Sequence, residues 1–311
     1  MDWLLCIAIT AFTGAANIFV DNYISDYYFK GRDANAQKCF HWIPHTIVGL
    51  VCICATGLDF TNIPIYIYLL FLLPGVISVV AGIFYYKALE VSESTDFGIF
   101  AQLAPIFYLI LGWLFLGQNI TSHQFIAFLI IIAAPILIIL TTKKRSRPVR
   151  LKAVFYTILN IFIAAAGAIL FVKLDAGETA DVNFITEMGF VFLGQGIGNG
   201  LIVLANPKWR KRFRYVTKSS KHKVYYPLTV SLVFNIINKF ARNLALVLAP
   251  SVALTTAITD SAKPIVIFFM GLLFTILWPR FGREKLTKKA VMVHLIATVL
   301  VVIGIFLIQS S

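Results

Sequence analysis

Six polar residues sit where the sequence is otherwise almost wholly apolar. Asn235, Asn238, Lys239 and Arg242 recur at i, i+3, i+4 and i+7, a spacing that puts all four on one face of a helix. Asp260 and Lys263 follow at i, i+3, with Thr256 and Thr259 beside them. A tight connection around Pro250 joins the two groups. Counted from it, Arg242 lies eight residues back and Asp260 ten on, while Lys239 lies eleven back and Lys263 thirteen on. At about 1.5 Å per residue these are similar depths, roughly 12–20 Å along an antiparallel pair. Asp260 is therefore expected to meet Lys239 or Arg242 across the hairpin, or Lys263 within its own helix. The chemistry implied is recognition of an anion. Three cations against one carboxylate leave two positive charges unmatched. Glu187 can neutralise one more, and an anionic group on a ligand would supply the rest, because an unpaired buried charge is costly. The competing reading is a set of structural ion pairs, or long side chains that carry their charge to the interface, Arg242 first among them.

Other polar residues join this list on weaker grounds. Asn17 and Asp21 stand at i, i+4, with Asp21 expected at the interface. Tyr85, Tyr86 and Gln102 are candidates for the opposite wall of a binding cavity, although buried amides often pair helix to helix instead. The run Gly194-Gln195-Gly196-Ile197-Gly198-Asn199-Gly200 lacks the preceding strand that a phosphate-binding glycine loop needs. Its two overlapping GxxxG spacings point to close helix packing. The alternative is an unwound segment whose Gln195 and Asn199 would line the site. Cys39, His41, His45, Cys52 and Cys54 gather in one stretch, and His41 and His45 are one helical turn apart. No acidic ligand or close cysteine pair completes a set, so no metal is expected; these residues read as small hydrophobes and interfacial histidines. With Cys6 they form no evident disulfide. No cofactor is expected either.

The elements that must position these residues follow from composition. Of 311 residues, 59% are hydrophobic and 13% charged, and the mean hydropathy is +0.85. A soluble globule of this length cannot hide that much apolar surface, and disorder is excluded by the same numbers. The class is an all-α polytopic membrane protein. Ten candidate spans are read at 3–21, 40–57, 63–88, 94–116, 121–141, 152–173, 182–205, 225–248, 252–278 and 288–309. Their apolar runs are continuous rather than alternating, which favours helices over a barrel. The first has neither a basic leader nor a small-residue cleavage site, so it reads as a span and not a signal peptide.

The net charge of +13 sits in short clusters between the apolar runs. That distribution excludes a nucleic-acid groove. The loops after spans 1, 5, 7 and 9 carry 22 of the 27 basic residues, Lys38 among them, whereas the opposite side has only Lys173. Positive-inside then puts those loops in the cytoplasm and both termini outside. Glu90, Glu93 and Asp96 form an acidic tip after span 3 that weighs little in this count. The basic loops are short, and no soluble domain is expected. The absence of targeting tails points to a bacterial inner membrane.

A repeat is also legible. Pro105-Ile106 leads to Gly112, Leu114 and Phe115, and Pro264-Ile265 leads to Gly271, Leu273 and Phe274, with seven residues from Pro to Gly in both. Gln118-Asn119-Ile120-Thr121 answers Glu284-Lys285-Leu286-Thr287. Spans 4–5 thus echo spans 9–10, and an odd-numbered half must insert its copy upside down. The chain divides into a first five-helix repeat at 1–142, a basic cytoplasmic linker at 143–151 and a second repeat at 152–311.

The chain resembles the drug/metabolite transporter superfamily in its ten-helix, EamA-type branch. Tyr86-Lys87-Ala88-Leu89, Pro105 to Phe115, Leu116 to Thr121 and Gly304-Ile305-Phe306-Leu307 carry the resemblance. Gln118 departs from it, since the family has Glu there, and family members keep both termini in the cytoplasm. The resemblance implies two inverted five-helix repeats and transport of a small metabolite. With the residues above, the expected function is secondary active transport of a small polar metabolite, anionic or zwitterionic, by alternating access at a midplane site. There is no P-loop, so a coupling proton, carried on Asp260 or Glu187, or an exchanged metabolite would drive it. The alternatives are an intramembrane enzyme, which would need a convergent acid–base or metal set, and a receptor or scaffold, which has no need of pseudo-symmetric halves.

Overall fold

The computed structural model describes residues 2–30, 33–58, 63–91, 103–142, 151–176, 182–277 and 288–309. Its helices are α1 Trp3–Tyr23, α2 Lys38–Thr56, α3 Ile65–Leu70, α4 Leu72–Val91, α5 Ala104–Leu116 and α6 Ser122–Thr142, then α7 Leu151–Asp175, α8 Phe184–Ala205, α9 Pro207–Ser219, α10 Tyr225–Leu248, α11 Val252–Leu277 and α12 Lys288–Gln309. No strand occurs among the described residues. Six stretches are long and apolar enough to cross a membrane: Trp3–Asp21, Ala34–Thr56, Ile65–Ala88, Leu151–Asp175, Phe184–Ala205 and Tyr225–Leu248. Ala104–Leu116, Ser122–Ala133 and Leu295–Leu307 are shorter apolar helices. This is the build of an integral membrane protein.

Local chemistry sets the helix ends. Asp2 and Asn183 cap α1 and α8 by accepting from Leu4 and Ile185 N–H. Thr121 and Gln124 exchange reciprocal bonds ahead of α6. Gly117 closes α5 in the left-handed region, at φ +63°, and lets Gln118 N–H reach back to the Gly112 carbonyl at 3.2 Å. Span 3 is found as Ile65–Ala88, with the single turn residue Phe71 between α3 and α4. One expectation needs correction. The seventh basic loop is not a loop: Asn206 caps a thirteen-residue helix, α9, with Pro207 at its first position. Of span 4, the described helix begins at Ala104; residues 92–102, including Gln102, Glu93 and Asp96, lie outside the described residues, as do residues 143–150 of the linker.

The helices pair in a definite pattern. α2 and α4 both pack along α8; α1 packs on α10 and α11, α7 on α4 and α5, α5 on α11, and α6 on α12. The α8 glycines make its seams close. A Cβ on Gly194 would strike the Leu72 carbonyl, and one on Gly198 would meet Val79 of α4 at 3.3 Å. A Cβ on Gly196 or Gly200 would strike Thr46 or Trp42 of α2. The 194/198 spacing therefore serves α4, the 196/200 spacing serves α2, and α8 runs unbroken through both.

One end of the bundle gathers the first, third and seventh connections. Lys208 pairs with Asp33 at 3.1 Å, Arg212 donates to the Phe29 carbonyl at 2.7 Å, and Ala34 N–H donates to Glu90 at 2.8 Å. Burial holds the Glu90 carboxyl above its ordinary range, against the pull of the Ala34 N–H and of the Lys208 and Lys87 cations. The other end joins Gln118 to Val252 N–H at 3.1 Å and Thr56 to Thr186 at 2.7 Å. Among the described residues, the first, third and seventh connections thus fall at the end opposite to the even-numbered ones.

Candidate functional site

The polar stripe of α10 faces inward but divides among three neighbours. Asn238 turns to α1, donating to the Thr10 carbonyl at 2.7 Å and to Thr13 at 3.3 Å. Lys239 turns to α4, where its Nζ reaches Ser78 Oγ at 3.4 Å. Arg242 turns to α5; its guanidinium donates to Tyr108 Oη at 2.7 Å and stacks over that ring. The residues at i+3 and i+4 lie about 100° apart around a helix, so one stripe can address two partners. Asp260 takes the intrahelical option, with Lys263 Nζ at 2.6 Å. It meets neither Lys239 nor Arg242 directly, although its charge acts on Arg242. Lys263 lies against Gly14 of α1, beside Asn238, where a Cβ would meet both at about 3 Å.

Lys38, His41 and His45 of α2 complete the site, and sequence reasoning did not find them. They sit at i, i+3 and i+7, opposite the exposed Ile43, Ile47 and Val51, and all three are buried. Lys38 belongs to this interior and not to the cytoplasmic loop charge: its Nζ donates to the Val79 carbonyl at 3.2 Å and lies 5.7 Å from the Tyr86 ring. His41 and His45 are buried against protein. Their rings stack on one another, and His45 stacks on Phe192 of α8. His45 Nδ1 bonds the His41 carbonyl at 2.9 Å, which leaves Nε2 as the remaining position of that ring. The charges of Lys38 and Arg242 act on Lys239, and those of Lys38 and Lys239 act on His41. Among the described residues neither Lys38 nor Lys239 has a carboxylate within ion-pair distance.

Polar atoms without protein partners collect in the same interior. They are His41 Nδ1, Gln195 Oε1 and Asn199 Oδ1, while the side chains of His45 and Asn235 face one another between α2 and α10. Gln195 and Asn199 are one turn apart on α8, between its α4 seam and its α2 seam and away from the exposed Ile197, Leu201 and Leu204. Tyr86 enters the site through Lys38. Asn17 is committed elsewhere, since it donates to Asp21 at 3.1 Å and shares with it the hydroxyl of Ser231 on α10. Asp21, the last residue of the first span, is buried in that triad. Glu187 cannot balance the cations, because its buried carboxyl meets that of Asp175 at the end of α7. The described residues hold no group of three or more metal-ligating side chains.

This geometry suits an anion. Each ammonium of Lys38 and Lys239 spends one of its three donors on a neutral oxygen. The ring of Phe192, which also packs on Phe240, closes one wall.

Residues 3–141 match the EamA-like transporter family, in agreement with membership of the drug/metabolite transporter superfamily. None of the curated proteins matches the chain in sequence. Among solved structures 27 chains match. One of them, a crystal structure of a protein, aligns over 96% of both chains with 13% identity and a TM-score of 0.57. At that identity the likeness is one of fold, and it extends well beyond the residues that match the family.

Proposed function

We propose that the protein is a secondary active transporter that carries a small anionic or zwitterionic metabolite by alternating access. Its site lies between two five-helix repeats of inverted topology, near the middle of the membrane. The observation that carries this reading is the inward-facing set of buried Lys38 and half-buried Lys239 and Arg242. It faces unpartnered imidazole and amide atoms, with the nearby carboxylate of Asp260 already held by Lys263. Charges left in that state favour a ligand that brings the opposite sign.

The packing pattern supports the repeat. With α1, α2, α4, α5 and α6 matched to α7, α8, α10, α11 and α12, the α1–α10 pair exchanges with α7–α4, and α1–α11 exchanges with α7–α5. The pairs α2–α8, α5–α11 and α6–α12 map onto themselves. A proton or an exchanged metabolite drives transport. The membrane is a bacterial inner membrane, with the basic loops in the cytoplasm and both termini outside.

The test is thermal stabilisation of the purified protein by a panel of anionic, zwitterionic and cationic metabolites, followed by counterflow of any hit in proteoliposomes. At about 100 times its dissociation constant a ligand stabilises by roughly 2.7 kcal/mol. The expected hit is an anion or zwitterion whose shift disappears in Lys239→Gln and in Lys38→Gln, and whose counterflow disappears with it. Stabilisation by cations alone, or shifts indifferent to both substitutions, would overturn the proposal.

A further inference from the structure

The thirteen residues of α9 contain Lys208, Arg210, Lys211, Arg212, Arg214 and Lys218 and no acidic residue. Its apolar face is already spent. Trp209, Phe213 and Val216, at i, i+4 and i+7, pack against Ile24, Phe29, Val224 and Leu228. Two cations are spent as well: Lys208 on Asp33 and Arg212 on the Phe29 carbonyl. The outward face presents Lys211, Arg214 and Lys218, at i, i+3 and i+7, and all three are exposed. Among the described residues none of these three has an acidic partner within ion-pair distance. Lys221 and Lys223 extend the exposed row into the following turn.

The position of this row selects its partner. Asn206 is the one residue between α8 and α9, and α10 begins at Tyr225, so α9 lies at the membrane boundary. Exposed tyrosines mark the same level: Tyr215 on the outward face of α9, Tyr226 at the start of α10, and Tyr27 after α1. Aromatic rings of this kind settle among lipid headgroups. An interfacial amphipathic helix ordinarily buries its apolar side in lipid. Here the protein takes that side, and the bilayer edge is met by cations and tyrosines. The cations stand in a row rather than converging as a pocket for a small soluble anion would require.

We infer that α9 and the turn after it form a binding surface for the acidic headgroups of phospholipids. The inference does not depend on the transported substrate. Its test uses the full chain in vesicles of phosphatidylcholine with about one-third phosphatidylglycerol, and reads the association of spin-labelled phosphatidylglycerol against spin-labelled phosphatidylcholine. The wild-type protein should select the acidic lipid, and more weakly as salt rises. Lys211→Gln/Arg214→Gln/Lys218→Gln should lower that selectivity at least about tenfold. Lys173→Gln, a single exposed cation at the other end of the bundle, should leave it in place. Selectivity retained by the triple variant, lost equally in Lys173→Gln, or abolished by millimolar soluble glycerol phosphate would overturn the inference.

Discussion

Lys38 and Lys263 are buried or nearly so, yet they stand in opposite electrostatic positions. Lys263 has a carboxylate at 2.6 Å, whereas Lys38 has a carbonyl and the Tyr86 ring. Removing one member of a buried pair strands the other, whereas removing an unmatched charge relieves the fold. Asp260→Asn should therefore destabilise the protein by about 2–3 kcal/mol, and adding Lys263→Met should recover most of the loss; chemical denaturation of the two singles and the double closes that cycle. Lys38→Met should leave stability level or raise it by about 1 kcal/mol while abolishing stabilisation by anions, and a large loss of stability would show instead that Lys38 is structural. These contrasts also mark what the sequence disclosed. Spacing and depth from Pro250 put Asp260 within reach of Lys239, Arg242 and Lys263 alike, and the structure selects Lys263. Lys38 was beyond that reasoning: it opens a helix directly after a polar stretch, so its charge counts with the loop until the fold turns it inward. Asp21 was read at the end of its span, but its partner Ser231 arrives from another helix and was not legible.

Among the elements, α8 shows how a run of glycines becomes architecture. The two GxxxG spacings are visible in the sequence, and each proves to serve a different neighbour. The positions are not equivalent, however. A Cβ on Gly194 meets the backbone of Leu72, which cannot yield, whereas one on Gly198 meets the side chain of Val79 at 3.3 Å, which can. Gly194→Ala should lower stability by about 2–3 kcal/mol or more and reduce the folded yield in detergent, while Gly198→Ala should cost less than about 1 kcal/mol. Equal tolerance of both in a thermal unfolding series would mean that α4 and α8 are not packed as described. The helix α9 was less legible for a physical reason. Its charge density is that of a solvated loop, and the apolar spacing of Trp209, Phe213 and Val216 has meaning only once α1 and α10 supply a surface for it.

At the scale of the whole molecule several of the larger helix pairs exchange between the halves, and the largest exception is informative. α4 lies along α8 over the glycine seam, but its counterpart under the repeat, α10 along α2, forms no comparable seam. α10 touches α2 through Tyr225 against Phe40 at one end and through the side chain of Asn235 at His45. Under the proposed repeat, two halves that were always equivalent would pack both pairs alike. An unequal pair is what one state of an alternating-access cycle requires, with the opposite state closing α10 on α2 and loosening α4 from α8. The polar residues that flank the open pair are those of the proposed site, His45 on α2 and Asn235 and Lys239 on α10. A ligand bridging them would bind the closed form better and shift the population toward it. Spin labels on the exposed Ile47 of α2 and Val233 of α10, in a background with Cys6, Cys39, Cys52 and Cys54 replaced, report that distance. With a stabilising anion present the distribution should gain a shorter population, and Lys239→Gln should suppress it. A single distribution, unmoved by a ligand that raises thermal stability, would mean that the inequality of the two seams is a fixed property of the fold and plays no part in transport.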